Sequence, residues 1–471
     1  MKRKADVVIV GSGVAGLFCA LNLPKDKKII IVTKSDVESS DSFLAQGGIC
    51  VLKDEADYDS YFEDTMKAGH YENNKESVDV MIRSSQSVIE DLIDIGVEFN
   101  KKDGKLTFTK EGAHSAPRIL YHKDITGKEI TSKLLKQVQE LKNVEIIEYF
   151  TMLDILTKGN RCFGIIGQDK EGGVHTIEAP FTVFACGGIG GIFDNTTNFS
   201  HLTGDALAIA LNHNITLEHI DYIQIHPTTL YSTKPGRRFL ISESVRGEGA
   251  ILYNAKGERF VNELLPRDLL SKEIKKQMER DGKPYVWLSM ETIDKDEIIN
   301  HFPNIYKHCL EEGFDVTKEC IPVVPSQHYF MGGIKVDLHS KTSMECLYAA
   351  GEISCNGVHG KNRLASNSLL ESLVFAKRAA EDIAWEFLIR KPLSSRNDNE
   401  IADSEMRLCR RDEIEIAGSE KCFSGTHNNE IVGSDCYIES IDYEKYKNKD
   451  ALLTEYKKMI LDEIKRVKQY E

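Results

Sequence analysis

The sequence predicts an α/β fold in which helices cover a parallel sheet, and three observations lead to that prediction. A short apolar run, Val7–Val10, is followed by the glycine-rich turn GSGVAG and by an apolar helical stretch at 17–23. A second apolar run, Ile29–Val32, completes a βαβ pattern within about 30 residues. Two more apolar runs, at 182–188 and 347–354, contain or end in glycines. They predict further buried strands of the same sheet.

Composition and charge exclude several classes of protein. The chain has 471 residues, of which 41% are hydrophobic and 28% charged, and its net charge is −14. We therefore expect neither nucleic acid nor an anionic membrane as a partner. Asp6 and Gly11 interrupt the apolar N-terminal stretch, and no run reaches the roughly 18 apolar residues of a membrane span. Eleven cysteines without a CxxC pair predict reduced thiols in a cytoplasmic protein.

The turn GSGVAG has the GxGxxG spacing of a dinucleotide-binding turn. Its glycines permit a tight turn and let the backbone approach a pyrophosphate at the N-terminus of the following helix. The alternative is an ordinary glycine turn. An acidic residue is expected near the end of the second strand, but Thr33 and Lys34 stand there.

Further glycine-rich turns enlarge the predicted nucleotide site. They are AQGGI at 45–49 and ACGG at 185–188, and a helix is predicted to open at Asp205. Glu352, at the end of an apolar run, is placed to accept hydrogen bonds from ribose or ribityl hydroxyls. Each feature alone is equally typical of a structural turn, but together and in this order they favour FAD over NAD.

The stretch HGKNRLASNSLLESL, residues 359–373, predicts a helix whose N-terminus faces an anion. Ser368 and Glu371 fit a capping box, and apolar residues continue at helical spacing. These apolar positions are Leu369, Leu373, Ala376, Ala380, Ile383 and Phe387. A helix start offers free N–H groups and a positive dipole end, and Arg363 lies just upstream.

Nine motifs, in order over roughly residues 5–390, resemble the succinate dehydrogenase/fumarate reductase flavoprotein family. They are GSGVAGL, SFLAQGGI, ACGG, QIHPT, SVRGEG, LPRDL, HYFMGG, GEIS and NRLASNSLLE. The resemblance implies a Rossmann-type FAD-binding domain at 1–218 and 331–395. It also implies an inserted α+β capping domain at 219–330, which closes over the flavin. Residues 396–471 are expected to form a short, mostly helical C-terminal segment that is atypical of the family.

The resemblance implies that FAD is the cofactor and that it is bound non-covalently. Respiratory members attach the flavin to a histidine five residues before the AQGG glutamine, and Asp41 stands at that position. The helix after Asn367 is expected to face the flavin pyrimidine edge. The residues expected to bind FAD are Gly11, Ser12, Gly13, Val14, Ala15, Gly16, Lys34, Asp41, Ser42, Phe43, Leu44, Ala45, Gln46, Gly47, Gly48, Asp205, Glu352, Ser368 and Leu369.

Within that family, TKEGAHSAPRILYHKDITGKEI at 109–130 resembles the L-aspartate oxidase branch. Its Glu111 would offset the α-ammonium of aspartate, which succinate and fumarate lack. The resemblance implies oxidation of L-aspartate to iminoaspartate by hydride transfer to flavin N5, with oxygen or fumarate as acceptor. This is the first step of NAD synthesis from aspartate, and its product goes to quinolinate synthase. The alternatives are a soluble fumarate reductase and a non-catalytic flavin-binding redox protein.

The same resemblance assigns the substrate pocket. The residues expected to bind substrate are Glu111, Gln224, His226, Ser242, Glu243, His328 and Arg363, and Arg267 takes the proton-transfer position. Ser242 replaces an expected threonine but keeps the hydroxyl. No metal is expected, because Cys409, Cys422, His427 and Cys436 match no established ligand spacing. A polar linker at 392–405 and a charged surface helix at 443–471 complete the predicted C-terminal segment.

Overall fold

The described part of the chain alternates strands and helices, and its strands form three sheets of four or five strands and three smaller ones. The computed structural model describes residues 2–234, 236–390 and 441–468. In chain order the strands are β1 (Lys2–Lys4), β2 (Val7–Val10), β3 (Ile29–Val32), β4 (Ile49–Cys50), β5 (Lys101–Lys102), β6 (Lys105–Leu106), β7 (Ile119–Leu120), β8 (Val144–Ile147), β9 (Thr151–Lys158), β10 (Arg161–Gln168), β11 (Val174–Glu178), β12 (Phe181–Phe184), β13 (Leu217–Glu218), β14 (Ile223–Leu230), β15 (Ile251–Tyr253), β16 (Val286–Ser289), β17 (Ile321–Phe330), β18 (Gly333–Lys335), β19 (Leu347–Ala349) and β20 (Ser354–Cys355).

The helices alternate with these strands. They are α1 (Val14–Asn22), α2 (Asp41–Leu44), α3 (Tyr58–Ala68), α4 (Lys75–Asp94), α5 (Thr126–Gln139), α6 (Asp205–Asn212), α7 (Glu243–Gly247), α8 (Arg267–Asp281), α9 (Lys295–His301), α10 (Pro303–Glu311), α11 (Asn367–Arg390) and α12 (Lys449–Lys468). Single 3-10 turns lie at Glu55–Asp57, Gly190–Ile192, Gly351–Ile353 and Tyr443–Tyr446.

Five parallel strands form the central sheet, in the order β19-β12-β2-β3-β8. Their side chains alternate between two hydrophobic cores. Val7 and Ile9 face the core shared with α1, α4, α5 and α11. Val8 and Val10 face the opposite core, which also receives α6 and the second sheet β1-β11-β10-β9. Because both faces of the sheet are buried at its centre, β2 and β3 are continuous apolar runs. The α/β prediction is confirmed.

A separate antiparallel sheet, in the order β14-β17-β16-β15, lies in the chain between the last two strands of the central sheet. It has its own apolar core, which includes Ile241, Leu252, Leu270 and Val323. The edge strand β14 pairs with β17, and in this pair His226 is opposite Ser326. Helices α8, α9 and α10 contribute to the same core, so sheet and helices together form a unit of the α+β type predicted for the insertion. The boundaries 219–330 stay a prediction.

Predicted element boundaries near Gly13 and Gly351 were wrong. Helix α1 begins at Val14, three residues before the predicted start. Gly13 is its N-cap, so the last three residues of the glycine turn already belong to the helix. The strand predicted at 347–354 ends at Ala349, because Gly351 has φ +73° and opens a 3-10 turn.

The capping box at the start of α11 is also wrong. The helix begins at Asn367, so Ser368 lies inside its first turn, and its hydroxyl accepts a hydrogen bond from Arg363. Glu371 instead accepts from the side chain of Asn356 in the interior. The predicted apolar spacing is confirmed, since the side chains from Leu369 to Ile383 at those positions are buried.

The predicted surface helix near the C-terminus is a docked helix. Helix α12 packs on α6 and β9 and buries four residues at a spacing of four: Leu452, Tyr456, Ile460 and Ile464. Tyr456 also donates its hydroxyl hydrogen to the carbonyl of Leu153 at 2.7 Å. The helical character was predictable, but the docking was not. The predicted linker and the four possible metal ligands between 392 and 436 lie outside the described residues. Within the described ranges, no helix combines the length and apolarity needed to cross a membrane.

Candidate active site

A cavity opens where the carboxyl ends of the parallel strands meet the antiparallel sheet. Its wall includes the strand-end residues Val10 and Val32, and ligands of open α/β sheets bind at this edge. The predicted FAD-binding residues that line it are Gly11, Ser12, Gly13, Val14, Ala15, Lys34, Asp41, Ser42, Leu44, Ala45, Gln46, Gly47, Gly48, Asp205, Glu352, Ser368 and Leu369. The predicted substrate and catalytic residues that line it are Glu111, His226, Ser242, Glu243, Arg267, His328 and Arg363.

Three predicted residues are absent from the cavity wall. Gly16 lies under the turn, where an added Cβ would come within 2.1 Å of the carbonyl oxygen of Gly11, so its role is helix–strand packing. Phe43 packs against the hydrophobic core. Gln224 lies behind the wall and binds two arginines, as described below.

The glycine turn brings backbone from two strand ends close together. Gly11 has φ +118°, and an added Cβ would lie 2.1 Å from the carbonyl oxygen of Ala185. Only glycine satisfies both constraints. The turn therefore presents bare backbone to the cavity, as binding of a pyrophosphate requires.

Three helices direct their N-terminal ends at the cavity. The first turns of α1, α6 and α11 contribute Val14, Asp205 and Ser368 to its wall. A helix N-terminus carries unpaired N–H groups and a partial positive charge. A ligand with negative charge at several points along its length suits this arrangement.

Lys34 is part of an ion pair at the cavity wall. Its ammonium donates to Asp205 at 2.6 Å and to Thr203 at 2.9 Å. An acidic side chain therefore does lie near the end of the second strand, but it belongs to α6. Thr33, which occupies the expected position, accepts from Ser12 at 3.2 Å and lines the cavity.

Several polar atoms on the wall have no protein partner. Among the described residues, Ser40 Oγ, Asp41 Oδ2 and Gln46 Oε1 are buried without a hydrogen bond. Buried polar atoms in folded proteins are nearly always paired, so these three need a bound partner. The polar edges and hydroxyls of FAD offer such partners, and the residues present therefore fit this cofactor.

Two carboxyls on this wall have raised pKa values. Burial raises the pKa of Asp41 to about 7, although the Phe199 N–H donates to it at 3.0 Å. Burial, followed by the neighbouring Asp41 carboxylate, raises the pKa of Glu352 to about 8. Glu352 also accepts from the N–H of Phe330 at 2.9 Å. Each group is therefore able to donate as well as accept a hydrogen bond near neutral pH.

Strand pairing in the antiparallel sheet assembles the other end of the cavity. The pairing of β14 with β17 places the rings of His226 and His328 edge to face, with centroids 5.2 Å apart. Burial, and then the charge of Arg267, hold the pKa of His226 well below its usual range. Burial, and then Arg363, do the same for His328. Both imidazoles are thus neutral, and each can donate one N–H.

Arg267, the first residue of α8, is bound on two sides. Its Nε donates to Glu243 at 2.6 Å and its Nη1 donates to Gln224 at 2.8 Å. Burial alone raises the pKa of Glu243, but Arg267 and Arg246 outweigh it and leave that pKa lowered. The site therefore holds a buried ion pair whose guanidinium lines the cavity.

Gln224, a predicted substrate ligand, contacts two arginines behind the cavity wall, and a direct contact with substrate stays a prediction. Its Oε1 accepts from Arg267 and, at 3.3 Å, from Nε of Arg363. Its Nε2 donates at 2.8 Å to both Asn362 and the carbonyl of Arg363. All its capacity is used within the protein, so it fixes two arginines relative to each other. Arg363 also donates to Ser368 and lies over the ring of Tyr329.

Glu111 brings a buried carboxylate to the same end. Its two oxygens accept from Ser244 at 3.1 Å and from Ser366 at 2.6 Å. An added Cβ at Gly47 would lie 2.4 Å from Glu111 Oε1, so a glycine is needed beside it. Burial raises the pKa of Glu111, and the charge of Glu243 raises it further. A cation next to Glu111 would relieve both effects. Ser242 caps the short helix α7 by accepting from the N–H of Ser244.

Other residues at the site were not assigned from the sequence. Ser366 and Arg246 lie within the family motifs NRLASNSLLE and SVRGEG, and membership of these motifs could have marked both as site residues. Arg237 also lines the cavity and interacts electrostatically with Asp41, but nothing in its local sequence marks it.

Comparisons with known proteins agree with this geometry. A family model described as FAD binding domain matches residues 6–369. The chain is 55% identical to L-aspartate oxidase of Clostridium perfringens, over 81% of this chain and 87% of the relative. It is 46% identical to L-aspartate oxidase of Clostridium acetobutylicum, over 92% of this chain and 100% of the relative.

The fold is similar to that of a quinol fumarate reductase from E. coli. The two share 28% sequence identity with a TM-score of 0.77, and the match covers 87% of this chain and 74% of the other. The predicted flavoprotein family and its FAD cofactor are confirmed. From the extent of these matches, the chain belongs to the L-aspartate oxidase family of FAD-dependent flavoproteins.

Proposed function

We propose that this chain oxidises L-aspartate to iminoaspartate in the cavity where the central parallel sheet meets the antiparallel sheet β14-β17-β16-β15. The observation that carries the proposal is the position of Glu111, a buried carboxylate in a pocket that also contains Arg267 and Arg363. A dicarboxylate needs cationic partners, whereas an α-ammonium needs an anionic one. The names of the curated relatives support the same substrate.

FAD would lie along the wall that contains the glycine turn. The N-terminus of α1 would bind the pyrophosphate, Glu352 would bind hydroxyls, and Ser368 and Leu369 would face the pyrimidine edge. Asp41 stands where respiratory relatives carry a histidine, so we propose non-covalent binding. Bound FAD would supply the acceptor for the hydride that leaves the substrate Cα.

The protein's own residues would bind and orient the substrate. The guanidinium of Arg363 can bind one carboxylate through two N–H groups, and the neutral His226 and His328 can each donate to carboxylate oxygens. Glu111 would accept from the α-ammonium, which relieves the buried charge described above. With both ends of the substrate fixed, its Cα is held in one orientation, and orientation accounts for much of the rate in such reactions.

Arg267 would stabilise negative charge and take part in proton transfer near the substrate Cα. An arginine normally stays protonated, so it stabilises developing negative charge directly. Its contact with Glu243 gives it a neighbour with which to exchange a proton. We further propose that the unit containing β14–β17 covers the site and excludes water while the substrate is bound.

The proposal extends to the electron acceptor, the fate of the product and the cellular location. The acceptor that reoxidises the flavin would be oxygen or fumarate, and the likeness to a fumarate reductase supports the second. Iminoaspartate would pass to quinolinate synthase as the first step of NAD synthesis. The cysteines of the described residues are free thiols, which supports a cytoplasmic location.

The test is anaerobic mixing of the purified holoprotein with candidate substrates while the flavin absorbance is recorded. L-Aspartate should bleach the flavin, whereas D-aspartate and L-glutamate should not. If glutamate bleaches it equally fast, the substrate assignment is wrong. A flavin that no amino acid reduces would favour the non-catalytic alternative.

Glu111→Gln separates the aspartate reaction from the soluble fumarate reductase alternative. Loss of one charge-assisted hydrogen bond should lower kcat/KM for aspartate by about 10- to 150-fold. Dye-driven reduction of fumarate, which has no ammonium, should be nearly unchanged. Glu371→Gln is the matched control, because Glu371 is equally buried but is absent from the cavity wall. An equal loss of both activities in Glu111→Gln would favour the fumarate reductase.

A further inference from the structure

The loop that carries Glu111 is held by a buried ion-pair cluster outside the cavity. Arg118, whose side chain is fully buried, donates to both oxygens of Asp57, at 3.0 and 3.2 Å, and to Asp64 at 2.5 Å. Asp64 also accepts from the backbone and hydroxyl of Ser115 at 2.7 Å. None of these four residues lines the cavity. The mechanism proposed above does not use them.

His114 connects that cluster to the substrate end of the cavity. Arg118 Nη1 lies 3.2 Å from His114 Nδ1, and His114 Nε2 lies 3.0 Å from the carbonyl oxygen of Ala365. An arginine has only donors, so Nδ1 must accept, and Nε2 carries the hydrogen that goes to Ala365. Burial, and also the positive charge of Arg118, lower the pKa of His114 to about 4. The ring therefore has one tautomer and one orientation.

The next residue along from Ala365 is the partner of Glu111. Ser366 donates to Glu111 at 2.6 Å, and it does so from an unusual backbone conformation with φ +63°. A left-handed conformation of a serine needs support from its surroundings. The bond from His114 to the Ala365 carbonyl is one such support. The N–H of Cys50, which donates to the Ser366 carbonyl at 3.0 Å, is another.

We infer that His114, with its tautomer fixed by Arg118, is a positioning residue. It holds Ser366 and Glu111 in the geometry that binds the substrate ammonium. This inference rests on the proposed function of Glu111. Arg363 is held independently, by Gln224 and Ser368. Loss of the His114 bond should therefore disturb recognition of the ammonium more than recognition of the carboxylates.

The experiment compares His114→Ala with His114→Gln in the holoenzyme. The glutamine amide can restore a donor near the position of Nε2, whereas alanine cannot. We expect His114→Ala to lower kcat/KM for L-aspartate by about 10-fold, mainly through KM, with fumarate reduction changed less than about twofold. His114→Gln should recover most of the aspartate activity. FAD retention should be the same in both variants.

The outcomes separate this inference from the proposed function. If His114→Ala lowers both activities equally, or if His114→Gln is as impaired as His114→Ala, His114 has only a structural role and the inference is overturned. Should His114→Ala fail to fold, Asp64→Asn takes its place, with an expected two- to threefold shift of the activity ratio in the same direction; an unchanged ratio overturns the inference. Failure of the wild type to oxidise aspartate, or an unchanged ratio in Glu111→Gln, would instead contradict the proposed function.

Discussion

Replacing Gln224 by leucine tests whether this residue acts on the two arginines or on the substrate. The side chain accepts from Arg267 at 2.8 Å and, less closely, from Arg363 at 3.3 Å. A hydrogen bond to a charged group contributes about 1.5–3 kcal/mol, and the longer bond contributes least. Arg267 keeps its contact with Glu243, so we take about 2 kcal/mol as the loss of positioning. At about 1.4 kcal/mol per factor of ten, this corresponds to a roughly 30-fold fall in kcat/KM.

The fall should be similar for aspartate oxidation and for fumarate reduction, because both reactions need Arg267 and Arg363. FAD should stay bound, since Gln224 does not line the cavity. The assay is steady-state kinetics with both substrates on the holoprotein. Gln168→Leu is the control, because this buried glutamine bonds only to backbone near Tyr446 and should leave both activities unchanged. The reasoning is refuted if Gln224→Leu keeps both activities, or if it changes only the KM for aspartate.

Three further predictions concern the cofactor, the tail helix and pH. With Asp41 at the attachment position, acid denaturation should release all FAD into the supernatant, and flavin fluorescence that stays with the precipitate would contradict this. Tyr456→Ala should lower the free energy of unfolding by about 3 kcal/mol in denaturant titrations, because the ring is buried, whereas Tyr443→Ala, at an exposed site, should change it little. Because burial raises the pKa of Asp41 to about 7, the folded apoprotein holds a proton that the unfolded chain has lost between about pH 4 and 7. Its stability should fall as pH rises through this range, and Asp41→Asn should reduce that fall; an unchanged pH profile in the variant would exclude Asp41 as the cause.

The features predicted correctly from the sequence are mostly local. Apolar runs and a glycine turn specify β2, α1 and β3 within 30 residues, and the position of Arg363 just ahead of α11 could be read directly. The function of the pocket residues came from the family resemblance, since nothing local separates His226 or His328 from an ordinary buried histidine.

The features that could not be predicted depend on distant parts of the chain. Gln224 contacts Arg363 across 139 positions, and Ser366 contacts Glu111 across 255. Hydrogen-bond partners this far apart are set by strand pairing and loop packing, which no local pattern records. The capping box at Ser368 and Glu371 failed for a more local reason, because the helix begins one residue earlier and both side chains bond instead to Arg363 and Asn356 in the preceding loop.

The docking of α12 has a consequence for the order in which the molecule can be built. The core on one face of the central sheet includes Leu153 and Leu207 from the first half of the chain, together with Tyr456 and Ile460 from α12. A ribosome releases the chain from its N-terminus, and domains begin to fold as they emerge. More than two hundred residues must therefore be synthesised after α6 before its partner helix exists, at about 5–20 residues per second. During that interval the apolar face of α6 has no cover from α12. We therefore expect this face of the nascent chain to be prone to aggregation until α12 has been synthesised.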